Sequence, residues 1–178
     1  RCYNDPITLT LEGVDDHPWL SHQWFQNNST GVQELIGFET LIASNHPVSE
    51  SSQFYVLTTS NFGCGFVESL PLQVDVWANL LPPSIDFADA FDGSTLCYLD
   101  SAPDFTLVNL ASGGGGPLVY EWESQSGLSN PYQPSGSDNV ALYNPGSLPD
   151  TARVRLRVTD LYGCGTRVSN AMQVNVFG

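Results

Sequence analysis

Four cysteines carry the clearest chemistry in this 178-residue chain: Cys2, Cys64, Cys97 and Cys164. An even count, two in each half at matching places, reads as a disulfide framework. The spacing pairs Cys2 with Cys64 and Cys97 with Cys164. Each bond would close a loop of more than 60 residues, worth about 4 kcal/mol on the chain-entropy model. The alternative is four buried free thiols in a reducing compartment. Against it stand the repeated spacing and the absence of a Cys-x-x-Cys or Cys/His zinc pattern. Disulfides imply an oxidising setting, outside the cell or on its surface.

Other reactive groupings are sparse. Asp86, Asp89 and Asp92, with Asp100 and Asp104 close behind, form an oxygen-rich run that could hold calcium. Their spacing is not that of an EF-hand loop, so they are weak calcium candidates, and no other cofactor is implied. The histidines (His17, His22, His46) lie in no metalloprotease motif, and Asp15-Asp16-His17 reads as a polar turn. No Gly-x-Ser-x-Gly nucleophile elbow is present. Four glycines at 113–116 are followed by neither a lysine nor a helix pattern, so they read as a flexible turn rather than a phosphate loop. The expectation is a protein that is not an enzyme. Trp19, beside Pro18 and without a counterpart in the second half, is the candidate for an exposed contact with a glycan or protein ligand.

The elements that position these residues come in two copies. Phe62-Gly63-Cys64-Gly65 recurs 100 residues later as Tyr162-Gly163-Cys164-Gly165, and residues 53–76 overlie 153–176. Thr59/Thr159, Ser69/Ser169, Gln73/Gln173, Val74/Val174 and Val76/Val176 are shared. One fixed spacing means tandem copies of one module. Each copy begins Cys-Tyr-x-Asp (Cys2 to Asp5, Cys97 to Asp100), followed by alternating apolar residues of a half-buried strand. Next comes a strand with Trp24 or Trp122. A tryptophan between two half-cystines belongs in the core of a β-sandwich; stacking on a sugar is the alternative. In the closing strand of the second copy, Val154, Leu156 and Val158 alternate with Arg153, Arg155 and Arg157. The arginines then face outward, either toward an acidic partner or toward cross-strand acids. No amphipathic helix is evident.

These signals predict an all-β chain of two tandem immunoglobulin-like β-sandwiches, one disulfide each. Module 1 covers residues 1–78 and lacks the lead-in strand of module 2. Residues 79–83 form a linker, and module 2 covers residues 84–178. The paired prolines Pro82 and Pro83 make the linker semi-rigid, with Trp77, Leu80 and Leu81 packing between modules in an extended rod. The chain reads as a piece of a longer polypeptide.

Nineteen acids against five arginines and no lysine give a net charge of −14. That balance argues against nucleic acid and anionic membranes as partners. The lack of lysine excludes lysine–asparagine isopeptide cross-links. No apolar run reaches the length of a membrane span, so this segment is not expected to insert.

With Cys-Tyr-x-Asp, Tyr120-x-Trp122 and Val158-Thr159-Asp160-x-x-Gly163-Cys164 in order, the modules resemble immunoglobulin-like or PKD-like repeats of Bacteroidota cell-surface proteins. Module 2 follows the closing motif closely; module 1 departs from it at Ser60, where the aspartate belongs. The resemblance implies a structural or adhesive segment of a large cell-surface adhesin, of the gliding-motility type exported by type IX secretion. Its implied partners are neighbouring repeats and a surface glycan or protein. It also implies O-glycans at Ser101 and Thr151, in Asp-Ser-Ala and Asp-Thr-Ala. The alternatives are a spacer or carbohydrate-binding module of a secreted hydrolase, and a receptor fragment of the eukaryotic immunoglobulin superfamily.

Overall fold

A computed structural model describes residues 1–14, 17–35, 41–89, 91, 95–136 and 139–178. The chain divides into two compact units, Arg1–Ala78 and Asn79–Gly178. Both are built of strands, as the alternation of apolar and polar residues dictates.

In the first unit, β1 (Asp5–Thr10) pairs antiparallel with β4 (Ile42–Val48). Facing them is the sheet β3-β2-β5-β6, formed by β2 (Leu20–Asn28), β3 (Gly31–Glu34), β5 (Ser52–Ser60) and β6 (Phe66–Glu68). The short β7 (Leu72–Val74) also pairs with β5. Ile7 and Leu9 from one sheet meet Trp24, Phe54 and Val56 from the other, which makes a sandwich core.

The second unit repeats this plan with additions. One sheet contains β8 (Ser84–Phe87), β10 (Phe105–Asn109) and β13 (Leu142–Tyr143) in the order β13-β10-β8. The other has β11 (Leu118–Ser126), β12 (Gln133–Pro134), β14 (Ala152–Asp160), β15 (Thr166–Val168) and β16 (Met172–Val174). A parallel pair, β9 (Leu96–Cys97) with β17 (Val176–Phe177), completes it. Trp122, Phe105, Leu156 and Ile85 fill its core. Trp122 stacks on Tyr143 with ring centroids 5.4 Å apart, and its indole N–H donates to the Asn139 carbonyl at 2.9 Å. Trp24 and Trp122 are thus both buried. The chain is all-β, two β-sandwiches in tandem.

The repeated residues have repeated jobs. Asp5 and Asp100 accept from the Cys2 and Cys97 amides at 3.1 and 2.9 Å, while each cysteine carbonyl accepts the aspartate amide at 3.0 Å. The residues between, Asn4 and Leu99, have φ of 62° and 65°. In the Gly-Cys-Gly turn all four glycines have φ between 76° and 104°, which a side chain would strain. The Ser69 and Ser169 hydroxyls sit where pairing switches from β6 to β7 and from β15 to β16. They accept from the Val56 and Leu156 amides at 3.0 and 2.9 Å, replacing a backbone acceptor lost at the switch.

The cysteines depart from expectation. Cys64 and Cys97 are free, exposed thiols. Neither Cys2–Cys64 nor Cys97–Cys164 forms, and the strands explain why. In module 2, Cys97 pairs in register with Phe177, just past β16, whose Val174 lies opposite Ala152 at the start of β14. Cys164 lies in the turn after Asp160, at the far end of that nine-residue strand. Nine residues of strand span about 27 Å, and a disulfide needs Cα atoms within about 7 Å. Module 1 has the same layout: Cys2 bridges Trp77 near Ser52, and Cys64 follows Ser60. Alkylation of the denatured, unreduced chain is therefore expected to label Cys64 and Cys97. An unlabelled Cys64 or Cys97 in the peptide map would contradict this arrangement.

Leu80 also differs from its reading as linker. It is buried against Ala111 and Val158 in the second unit, and the Leu81 amide donates to the Ser112 carbonyl at 2.7 Å.

Candidate functional site

The shared glycines, serines, aspartates and tryptophans are taken up by turns, strand switches and cores, so candidate sites are sought where the modules differ. The first is an exposed ring cluster at one end of module 1. Trp19 precedes β2, and its indole is half exposed. His17 stacks on it at 5.7 Å between ring centroids with an interplanar angle of 14°, and Phe62 leans on it at 6.2 Å. The Asn61 amide donates to the Trp19 carbonyl at 2.9 Å, which joins the two segments. Three exposed rings form a flat, weakly polar platform suited to stacking against a sugar face or an apolar side chain.

In module 2 the same turn is organised differently. Tyr162 takes the place of Phe62, and a Cβ on Gly116 would come within 2.6 Å of the Tyr162 ring. The glycine run is held rather than flexible. Asp160 accepts from the Gly115 and Gly116 amides at 2.7 and 3.1 Å through one oxygen, and from the Tyr162 amide at 2.7 Å through the other. A Cβ on Gly114 would meet that carboxylate at 2.3 Å, so a glycine is required there. The run is an anion-binding nest, and its anion is the chain's own Asp160.

Burial pushes the Asp160 carboxyl upward, but the N–H groups of Gly116, Gly115, Tyr162 and Cys164 outweigh it and hold it below the ordinary carboxylate value. A carboxyl depressed on folding stabilises the native state above its unfolded pKa. That contribution is lost as pH falls through the lower folded value. Asp160→Asn is therefore expected to destabilise module 2 at neutral pH. Urea midpoints of variant and parent should converge as the pH drops below about 4. A gap that persists unchanged to pH 2 would show that the charge plays no part.

The arginine row faces outward, but its members are engaged. Arg155 bonds Glu123 at 2.6 Å and lies over the Tyr132 ring at 3.8 Å, and Arg157 bonds both Glu121 and Glu123. Arg153 donates to Gln173 at 2.9 Å. Of the two readings of this row, pairing with cross-strand acids is the one found. The burial of Glu123 was not anticipated; the alternation of Glu121 and Glu123 opposite the arginines was its signal.

Asp86 accepts from the Phe87 amide, Asp100 from Cys97 and Asp104 from Asn144; Asp92 lies outside the described residues, as do Asp15 and Asp16. Among the described residues no group of three metal-ligating side chains occurs. Ser101 is exposed, whereas the Thr151 hydroxyl accepts the Val176 amide at 3.1 Å. Among the described residues no helix is long and apolar enough to cross a membrane.

The second candidate is an apolar cleft of about 390 Å³ in module 1, lined by Leu11, Leu20, Val56, Thr58, Phe66 and Val67, with Cys64 on its wall. Beside it His22 is buried, bonded to Thr58 through Nδ1 at 2.9 Å, with Nε2 lacking a hydrogen-bond partner. Nothing in the notable spacing of residues points to this cleft.

No family model matches the chain, and no curated protein matches it. Among solved structures it is similar to the fibronectin(III)-like modules of Clostridium thermocellum CbhA. The identity is 13%, the TM-score 0.40, and the match covers 99% of this chain and 86% of that one.

Proposed function

We propose that the chain is a non-catalytic structural and adhesive segment of a large bacterial cell-surface adhesin, its modules serving to hold a binding region away from the cell. One observation carries this reading: the glycines, serines, aspartates and tryptophans that the two modules share are spent on architecture. The glycines make the cysteine turn, the serines bridge the strand switch, the aspartates cap the start of each module, and the tryptophans fill the cores. What is repeated is a scaffold, and tandem scaffolds suit spacing rather than turnover. The resemblance to Bacteroidota surface repeats supports the adhesin class. The test is the native polypeptide, recovered with an antibody to this segment. A chain many times 19.3 kDa, built of similar cysteine-bearing repeats, is expected; a moderate chain carrying hydrolase peptides would replace the adhesin with an enzyme's spacer.

The exposed stack of His17, Trp19 and Phe62 favours a second reading, in which module 1 also binds carbohydrate. Titration with soluble glycans should then give binding that Trp19→Ala reduces by a few-fold up to about tenfold, in line with the loss of one aromatic stacking partner. Binding left intact by that substitution would remove the platform from consideration.

A further inference from the structure

Each module carries its two cysteines at opposite ends, and the ends are the same in both copies. The start cysteine lies where the chain leaves its module. Cys97 pairs in parallel register with Phe177. Cys2 bridges Trp77, whose amide donates to the Arg1 carbonyl at 2.8 Å.

The turn cysteine lies where the chain comes in. Leu80 enters the second unit against Val158 and Leu118, and Leu118 sits opposite Asp160. The turn with Cys164 follows directly, held there by the Leu161 amide, which donates to the Pro117 carbonyl at 3.1 Å. The exit residue Trp77 and the entry residue Leu80 are three positions apart, a stretch of at most about 11 Å. A start cysteine and the turn cysteine of the following repeat therefore border one short joint. The two cysteines of a single module are a nine-residue strand apart.

The sulfurs are also accessible. Cys64 and Cys97 are both exposed. A Cβ on Gly63 or Gly65 would meet no atom within 4 Å, so the ground on both sides of Cys64 is open to the approach of another backbone.

We propose that disulfides join successive repeats instead of closing each one. In the native polypeptide Cys97 is bonded to the glycine-turn cysteine of a following repeat, and Cys64 to the start cysteine of a preceding one. This rests on the reading of the chain as part of a tandem array; in the 178-residue chain by itself both are free thiols. The oxidant is the disulfide of a thiol–disulfide oxidoreductase in an oxidising compartment. One cysteine thiolate attacks it to give a mixed disulfide, and the partner thiolate then attacks the cysteine sulfur of that bond. The oxidoreductase leaves as a dithiol, carrying the two electrons and the two protons of the joined thiols.

The test uses the native polypeptide, extracted in the presence of an alkylating agent, digested without reduction and mapped by mass spectrometry. The Cys97 peptide is expected to be covalently linked to a Gly-Cys-Gly peptide of another repeat. The Cys64 peptide should be linked to a Cys-Tyr-x-Asp peptide, and neither sulfur should take label until reduced. A long array in which Cys97 and Cys64 are alkylated without reduction would overturn the proposal and leave the adhesin reading standing. So would Cys97 linked to another start cysteine. A chain carrying hydrolase peptides, with Cys97 still linked to the turn of a further repeat, would support the proposal while removing the adhesin.

Discussion

Trp122→Ala is expected to cost about 3–5 kcal/mol, enough to unfold module 2 under conditions where module 1 survives. The indole is almost wholly buried, contacts both sheets' core residues, stacks on Tyr143 and bonds the Asn139 carbonyl. Truncation would leave a cavity and an unpaired carbonyl together. A domain of this size has about 5–15 kcal/mol in total, so the loss is a large share of it. Because module 1 has its own core, calorimetry should show one transition moved far down and the other nearly unmoved. Equal displacement of both transitions would mean that the two cores do not melt separately.

Glu123→Gln is expected to cost about 2 kcal/mol. Glu123 is 5% exposed and receives both Arg155 and Arg157, at 2.6 and 3.1 Å. The arginines are themselves partly exposed and can recover water, which keeps the cost below that of a fully buried pair. A double-mutant cycle with Arg155→Gln should show coupling, the double variant losing less than the sum of the singles. Strict additivity in urea denaturation would indicate that Glu123 contributes through packing and not through the ion pair.

Local pattern carried much of the architecture. The 100-residue repeat, the alternation in β5 and β14, and the tryptophans between cysteines all depend on near neighbours or on one repeated spacing, and those are visible in a sequence. The cysteine pairing was not visible, because it depends on which end of a nine-residue strand each sulfur reaches. The Leu80 site was obscured by Pro82 and Pro83, which marked its neighbourhood as linker. The role of the four glycines depends on Asp160, 45 residues away from Gly115. The ring cluster was half legible: Trp19 stood out beside Pro18, but nothing placed Phe62 against it.

The cross-strand rows also bear on how similar modules avoid one another while folding. Neighbouring repeats with like strands risk exchanging them. Module 1 joins β2 to β5 through Phe25 stacked on Tyr55, and module 2 joins β11 to β14 at the equivalent place through Glu123 and Arg155. A hybrid of β11 with β5 would set a buried carboxylate against a tyrosine ring, and the reverse hybrid would set a phenylalanine against an arginine. The first mispairing strands a buried carboxylate, so the two couplings disfavour the exchange of β11 into module 1.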